Sequence, residues 1–173
     1  MALRDILVIP DPVLRKVCEP LAEVTPEMGT LFDDMLATMY DAPGIGLAAP
    51  QIGLLQRVVA IDITKDEDVD KDPMIFVNPE ITWESDELAD YEEGCLSIPE
   101  VFETVTRPAQ VTVSYLDREG KHSSLDCDGL LAVCIQHEID HLNGVLFIDH
   151  ISKLKRDRIV KKFSKARRLA ETG

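Results

Sequence analysis

No long run of apolar residues interrupts this sequence. The stretch Ile6-Leu7-Val8-Ile9 stops at Pro10, far short of the roughly 20 residues needed to cross a bilayer and too short for a secretion signal. The expectation is a cytoplasmic protein with no membrane partner. Repeats and Ser/Gly-rich linkers are also missing, so 173 residues read as one domain. Cysteine is sparse: Cys18, Cys95, Cys127 and Cys134. A chain of this size builds a core without disulfides, so free thiols are expected, with Cys18, Cys127 and Cys134 as small core residues. Basic residues are scarce through residue 150, nine against thirty acidic ones, while residues 151–173 hold nine Lys/Arg against Asp157 and Glu171. The net charge of -14 therefore divides into an acidic body and a basic tail, a hint that the tail meets a partner of its own.

What is present fits an ordinary globular domain, with 45% hydrophobic and 29% charged residues, so disorder is not the default. Asp11-Pro12 opens a short helical turn. Thr25 as cap and Pro26 at the first helical position precede Met28, Leu31, Phe32, Met35, Leu36, Met39 and Tyr40, a stripe at helical spacing. Residues 44–53 form a loop of small residues that suggests close backbone approach. Strands are expected over 57–63, 74–77, 81–83, 109–116 and 121–125, the last two joined by a turn at 117–120. Residues 64–72 read as an acidic loop, and 84–91 as an acidic turn. A helix from Asp128 or Gly129 is apolar on nearly every side from Leu130 to Ile135 and stops at Gly144, which places it inside the fold. A short extended piece at 145–147 then precedes a final helix from about Ser152 to Leu169, with Leu154, Val160, Phe163 and Leu169 as its apolar side. The order predicts an α+β domain with sheets wrapped around the buried helix, residues 1–151 forming the body and 152–173 a basic C-terminal helix of the same domain.

The buried helix ends in His137-Glu138-Ile139-Asp140-His141. Residues four apart share a helix face, so His137 and His141 can offer two imidazoles to one metal ion, with Glu138 placed to take a proton from metal-bound water. A third ligand is needed. The peptidase pattern with a third histidine has Phe147 in that place here, and the only Glu beyond His141 is Glu171. Cys95, between Gly94 and Leu96, is the alternative, and a thiolate with two imidazoles suits Zn²⁺ or Fe²⁺, with Ni²⁺ and Co²⁺ open as well. Glu93, two residues before Cys95, and Arg107 are expected to pair and fix that ligand.

Three stretches, Gly44-Ile45-Gly46-Leu47-Ala48-Ala49-Pro50-Gln51, Glu93-Gly94-Cys95-Leu96-Ser97 and Gln136-His137-Glu138-Ile139-Asp140-His141, together resemble the peptide deformylases in content, order and spacing. That resemblance, over nearly the whole chain, implies removal of the formyl group from N-terminal formylmethionine of nascent polypeptides, with release of formate. It implies Cys95, His137 and His141 as ligands of one ion, Fe²⁺ in the cell. It also implies Glu138 as general base and acid, with the Gln51 amide and the Leu96 N–H stabilising the oxyanion. The backbones of Ile45, Gly46 and Gly94 would hold the extended peptide. Ile45, Tyr91, Leu130, Val133 and Cys134 are candidates for the methionine pocket, although each alone reads equally as core. Phe102 stands where some relatives carry a basic residue, which leaves open how the mouth of the site meets the second or third substrate residue.

The long C-terminal helix resembles that of the family's bacterial branch, which implies docking on ribosomes through it, and a solvated helix offsetting the acidic body accounts for the basic tail equally. A monomer is expected. Two rival classes remain: a metallopeptidase, disfavoured by Phe147, and a binding-only relative, disfavoured by the presence of Glu138, Gln51 and Cys95.

Overall fold

Val58, Val59, Ala60 and Ile61 form a strand in which every residue is buried. Alternation sends Val58 and Ala60 to one face and Val59 and Ile61 to the other, so this strand needs a cover on both sides. The computed structural model, which describes residues 2–64 and 70–172, supplies one helix on each. Helix α1 (Met28–Asp41) lays Phe32, Met35 and Met39 against Val58, Ala60, Ile75 and Val77. Helix α2 (Gly129–Leu142) lays Ile135, Ile139 and Leu142 against Val59, Ile61, Phe76 and Val113. Full burial of each such side chain is worth about 1.5–3 kcal/mol.

The strands are β1 (Gly46–Ala48), β2 (Val58–Ile61), β3 (Met74–Glu84), β4 (Leu88–Cys95), β5 (Ile98–Pro108), β6 (Val111–Leu116) and β7 (His122–Cys127). Five of them make an antiparallel sheet in the order β1-β2-β3-β6-β7, and β4 with β5 makes a separate two-stranded sheet. The architecture is α+β as expected. A third helix, α3 (Lys153–Thr172), follows a 3₁₀ turn at Phe147–His150. That turn and β5 share a smaller core with α3 through Ile98, Val105, Phe147, Ile148, Val160 and Phe163.

Several boundaries depart from the sequence reading. Helix α1 begins at Met28, with Glu27 at the cap position making no side-chain cap bond, while the Thr25 carbonyl accepts from the Met28 N–H. The stretches 74–77 and 81–83 are one strand, its register shifting where Asn78 takes φ +49 before Pro79. Asn78 is held there by hydrogen bonds to the backbone of Leu21. Residues 88–91, read as part of a turn, belong to β4, and β5 was not expected at all. Both strands are largely exposed, so no apolar alternation announced them. Residues 145–147 lead into the 3₁₀ turn rather than extending as a strand. On α3, Ile159, Val160 and Phe163 meet the core, while Leu154 and Leu169 are exposed. The acidic loop lies partly in 65–69, outside the described residues; the carboxylate of buried Asp62 binds the backbone N–H groups of Thr64 and Asp72 on either side.

Gly144 marks the end of α2 for a physical reason. Its φ is +74, and a Cβ there would meet the Arg15 carbonyl oxygen at 2.5 Å. Only glycine permits both the turn and the close approach.

Candidate active site

Helix α2 carries His137, Glu138 and His141 into the interior because its N-terminal turns are apolar all round; the three are 8%, 3% and 1% exposed. Cys95 arrives from the other side, at the end of β4, where a register shift between Gly94 and Cys95 sets it apart from the regular ladder. The donor atoms of Cys95, His137 and His141 all lie within 4.8 Å of one another, and Cys95 Sγ is 3.3 Å from His141 Nε2. Phe147 is itself buried, and its ring stacks on His137 with centroids 5.9 Å apart. It packs the site and offers no ligand.

The expected Glu93–Arg107 pair is present, with bonds of 2.7 and 2.9 Å. Glu93 does more than the sequence suggested, since its Oε1 is also 3.0 Å from His137 Nδ1. That contact leaves the other ring nitrogen of His137 for Cys95 and a metal, the usual division in which a carboxylate orients a metal-binding imidazole. Arg107 continues through its Nη1 to Asp140 at 2.8 Å, and Asp140 Oδ2 is 2.9 Å from His150 Nε2. Sequence reasoning missed Asp140 and His150; the alternation of β5 and the i, i+3 spacing on α2 hold no signal that would join them.

Burial alone would raise the Glu93 carboxyl, but the His137 and Arg107 hydrogen bonds outweigh it and hold its pKa at about 2. Burial pushes Glu138 up to about 7, opposed by the charge of His137. Burial would lower His137, yet the flanking Cys95 and Glu93 raise it well above the ordinary value, whereas burial lowers His141. A thiol, two imidazoles and two carboxylates at one point make a site that favours positive charge. Among the described residues, the buried side-chain atoms without a hydrogen-bond partner are Glu138 Oε1 and His141 Nδ1, both here. The donor set and this polarity fit a thiophilic divalent ion such as zinc or iron.

Gln51 is buried in the 3₁₀ turn Ala49–Ile52 and held at three points. Its backbone carbonyl accepts from the Leu7 N–H, its Oε1 accepts from the Ala48 N–H, and its Nε2 donates to Ser97 Oγ at 3.1 Å. The same Nε2 is 3.5 Å from Cys95 Sγ. Leu96 follows in the turn between β4 and β5, its side chain against Gly44.

A cavity of about 670 Å³ opens beside these groups. Ile45, Gly46, Gly94, Leu130, Val133 and Cys134 line it, and Tyr91 lies exposed on β4 with its hydroxyl toward Gly129, at the start of the helix that carries Leu130 and Val133. Tyr91 faces the start of α2 because its parity on β4 is that of Glu93. Burial first, then Glu138 and Glu93, raise the Cys134 thiol well above its ordinary value, so it stays protonated in the cavity wall. A Cβ at Gly46 would meet Glu138 Oε2 at 2.5 Å and Cys134 Sγ at 2.9 Å, so a larger residue would displace both side chains. Because the Asp62 N–H bonds the Ile45 carbonyl, the next pair, Gly46 opposite Ile61, turns its own N–H and C=O away from β2. Strand β1 is thus a free edge on one side of the cavity, and β4, paired only with β5, is another.

The sequence profile described as polypeptide deformylase matches residues 3–157. A peptide deformylase of Methylocella silvestris is 59% identical over 98% of this chain and 87% of its own length. One of Rhizobium meliloti is 55% identical over 96% of this chain and 95% of its own. Among solved structures, a peptide deformylase from Legionella pneumophila superposes with a TM-score of 0.88 at 46% identity, covering 99% of both chains. One from Ehrlichia chaffeensis in complex with actinonin gives 0.89 at 37% identity, covering 96% of this chain and 98% of its own.

Proposed function

We infer the chemistry of this site from one premise, that the chain belongs to the polypeptide deformylase family: the protein hydrolyses the formyl amide of N-terminal formylmethionine on nascent polypeptides and releases formate. Cys95, His137 and His141 would hold the ion, Fe²⁺ in the cell, with Zn²⁺, Ni²⁺ or Co²⁺ able to replace it. When bound, such an ion is a Lewis acid that lowers the pKa of a water and polarises a carbonyl oxygen.

The observation that carries the reading is the Glu138 carboxylate, buried, without a partner at Oε1, and poised near neutrality. Glu138 takes a proton from the attacking water and returns it to the leaving amine as the C–N bond breaks. Gln51 cannot reverse its amide, since Oε1 is engaged by the Ala48 N–H, so Nε2 is the atom offered beside Cys95. It and the Leu96 N–H donate to the oxygen on which negative charge develops. An extended peptide pairs with the free edge at Gly46 and with β4 at Gly94. Its methionine side chain enters the wall made by Ile45, Leu130, Val133 and Cys134.

The deciding experiment is formate release from a formyl-Met peptide by protein purified anaerobically with Fe²⁺, beside Glu138→Gln. The variant should keep its metal and lose about 10²–10⁴-fold in kcat. A metal-loaded Glu138→Gln that works at the wild-type rate would remove Glu138 from the mechanism, and an inactive wild type would remove the function.

A monomer working in the cytoplasm, where nascent chains emerge, completes the proposal, with α3 as the ribosome contact. Eight of the nine Lys/Arg in residues 151–173 are exposed, which supports a phosphate-binding face. Full-length protein should bind ribosomes with an affinity that falls steeply with salt, and neutral substitutions at Lys161, Lys162 and Lys165 should flatten that slope.

A further inference from the structure

Residues 42–46 form one wall of the cavity, running from the end of α1 into β1. Near its start the Gly44 N–H bonds the Met39 carbonyl at 2.8 Å, and near its end the Ile45 carbonyl accepts from the Asp62 N–H at 2.9 Å. A Cβ added at Gly44 would meet the Leu96 side chain at 2.8 Å. The wall is thus closely fitted on the site side and hydrogen-bonded at both ends.

Asp62 is 2% exposed and directly follows β2, the strand buried at every position. A buried carboxylate is costly unless hydrogen bonds meet it. This one accepts from the Tyr40 hydroxyl at 2.5 Å, from the Thr64 N–H at 2.9 Å and from the Asp72 N–H at 3.1 Å. Burial would raise its carboxyl, but the Tyr40 and Thr64 bonds outweigh that and hold it below the ordinary value. Burial and the same carboxylate raise the Tyr40 hydroxyl, so the phenol keeps its proton and donates it. The Lys71 ammonium sits over the Tyr40 ring, 4.1 Å from its centroid.

The Thr64 and Asp72 bonds tie down the acidic loop. The Tyr40 bond goes elsewhere, to the last turn of α1, where the cavity wall begins. Asp62 therefore grips both ends of that wall, by its side chain at Tyr40 and by its backbone at Ile45, and it does so from the most deeply buried strand of the sheet.

We propose that Asp62 and Tyr40 are a positioning pair for the substrate: they hold residues 42–46 so that the free edge at Gly46 and the Ile45 side chain meet an extended peptide in register. The pair rests on the deformylase reading of the cavity and adds to it two residues that do not line the cavity. Edge pairing and pocket contacts hold substrate and transition state alike, so loosening them raises KM and spares kcat. A hydrogen bond to a charged group is stronger than a neutral one, and its loss from the wall should raise KM about tenfold.

The test is steady-state kinetics on formyl-Met-Ala-Ser by metal-loaded wild type, Tyr40→Phe and Asp62→Asn, with metal content and melting temperature measured on each. Tyr40→Phe removes one hydroxyl and leaves the loop bonds of Asp62 in place. Its KM should rise about tenfold, with kcat within about twofold of wild type and metal content unchanged. Asp62→Asn keeps an acceptor for Tyr40 but faces the loop N–H groups with an amide, so it should lower the melting temperature more and raise KM less. A folded Tyr40→Phe with wild-type KM would overturn the pair, whatever its melting temperature. Loss of metal or of kcat at unchanged KM would overturn it too, as would a KM that simply follows melting temperature across the variants. A metal-loaded wild type that hydrolyses no formylated peptide would instead overturn the reading beneath it.

Discussion

Strand β2 is buried at every position between two helices, whereas β4, which delivers Cys95, buries only Glu93 fully, and that residue is charged. The two sheets are held by different forces. In the first, apolar side chains on both faces leave water, a term that is large, undirected and forgiving of small changes in shape. In the second, Arg107 and Glu93 join the hairpin to His137 and Asp140 through directed hydrogen bonds, beside a smaller apolar contact of Ile98 and Val105 with the 3₁₀ turn and α3. The contrast separates stability from position: the large sheet keeps α2 in place, while the small one decides where the sulfur sits against the two imidazoles.

That division can be broken deliberately. Phe76, fully buried between the large sheet and α2, should cost about 3–5 kcal/mol on replacement by Ala. Chemical denaturation should show the loss, while metal content per folded molecule stays at the wild-type level. A parallel fall in metal content would mean that the two regions are not separable.

Acid should attack the small sheet through Glu93. Its carboxyl titrates near 2 in the fold against 4.5 ordinarily, so the folded state binds its proton more weakly than the unfolded chain does. The resulting stabilisation, about 3 kcal/mol, is fully present above pH 4.5 and is lost as pH falls toward 2. Denaturation midpoints measured from pH 6 down to pH 2 should therefore fall more steeply for wild type than for Glu93→Gln. Parallel curves would show that the pairing contributes nothing to stability.

The smallest effect is expected at the outer end of the network. His150 is about one-third exposed where it meets Asp140, and Asp140 keeps Arg107 without it, so His150→Ala should cost under about 1 kcal/mol. For a chain of this length that is a shift of roughly 2–4 °C or less in melting temperature. A larger drop would extend the rigid network to the surface.

Legibility in the sequence followed the same division. The stripe from Phe32 to Met39, the apolar opening of α2 and the alternation in β6 are periodic because burial is periodic, and each could be read directly. Strand β5 shows no such apolar period: the Arg107–Glu93 pair could be expected from the few basic residues in the body, yet a pair of opposite charges does not mark a strand. Tyr91 was named for the pocket wall with no spacing to set its direction, and it is the parity of β4 that turns its hydroxyl toward Gly129 at the start of α2.

His137, Glu138 and His141 were determined by the sequence itself, since four residues of helix place both imidazoles on one face whatever surrounds them. The missing third His and Glu then pointed to Cys95, and the resemblance of three motifs supplied the role of Gln51 and the family. Only the tertiary structure decided that the Gln51 Nε2 meets Ser97, and that Glu93 holds His137 as well as Arg107. These are contacts between residues 14 to 46 positions apart. Such contacts exist once hydrophobic burial has closed the chain on itself, and no local preference encodes them.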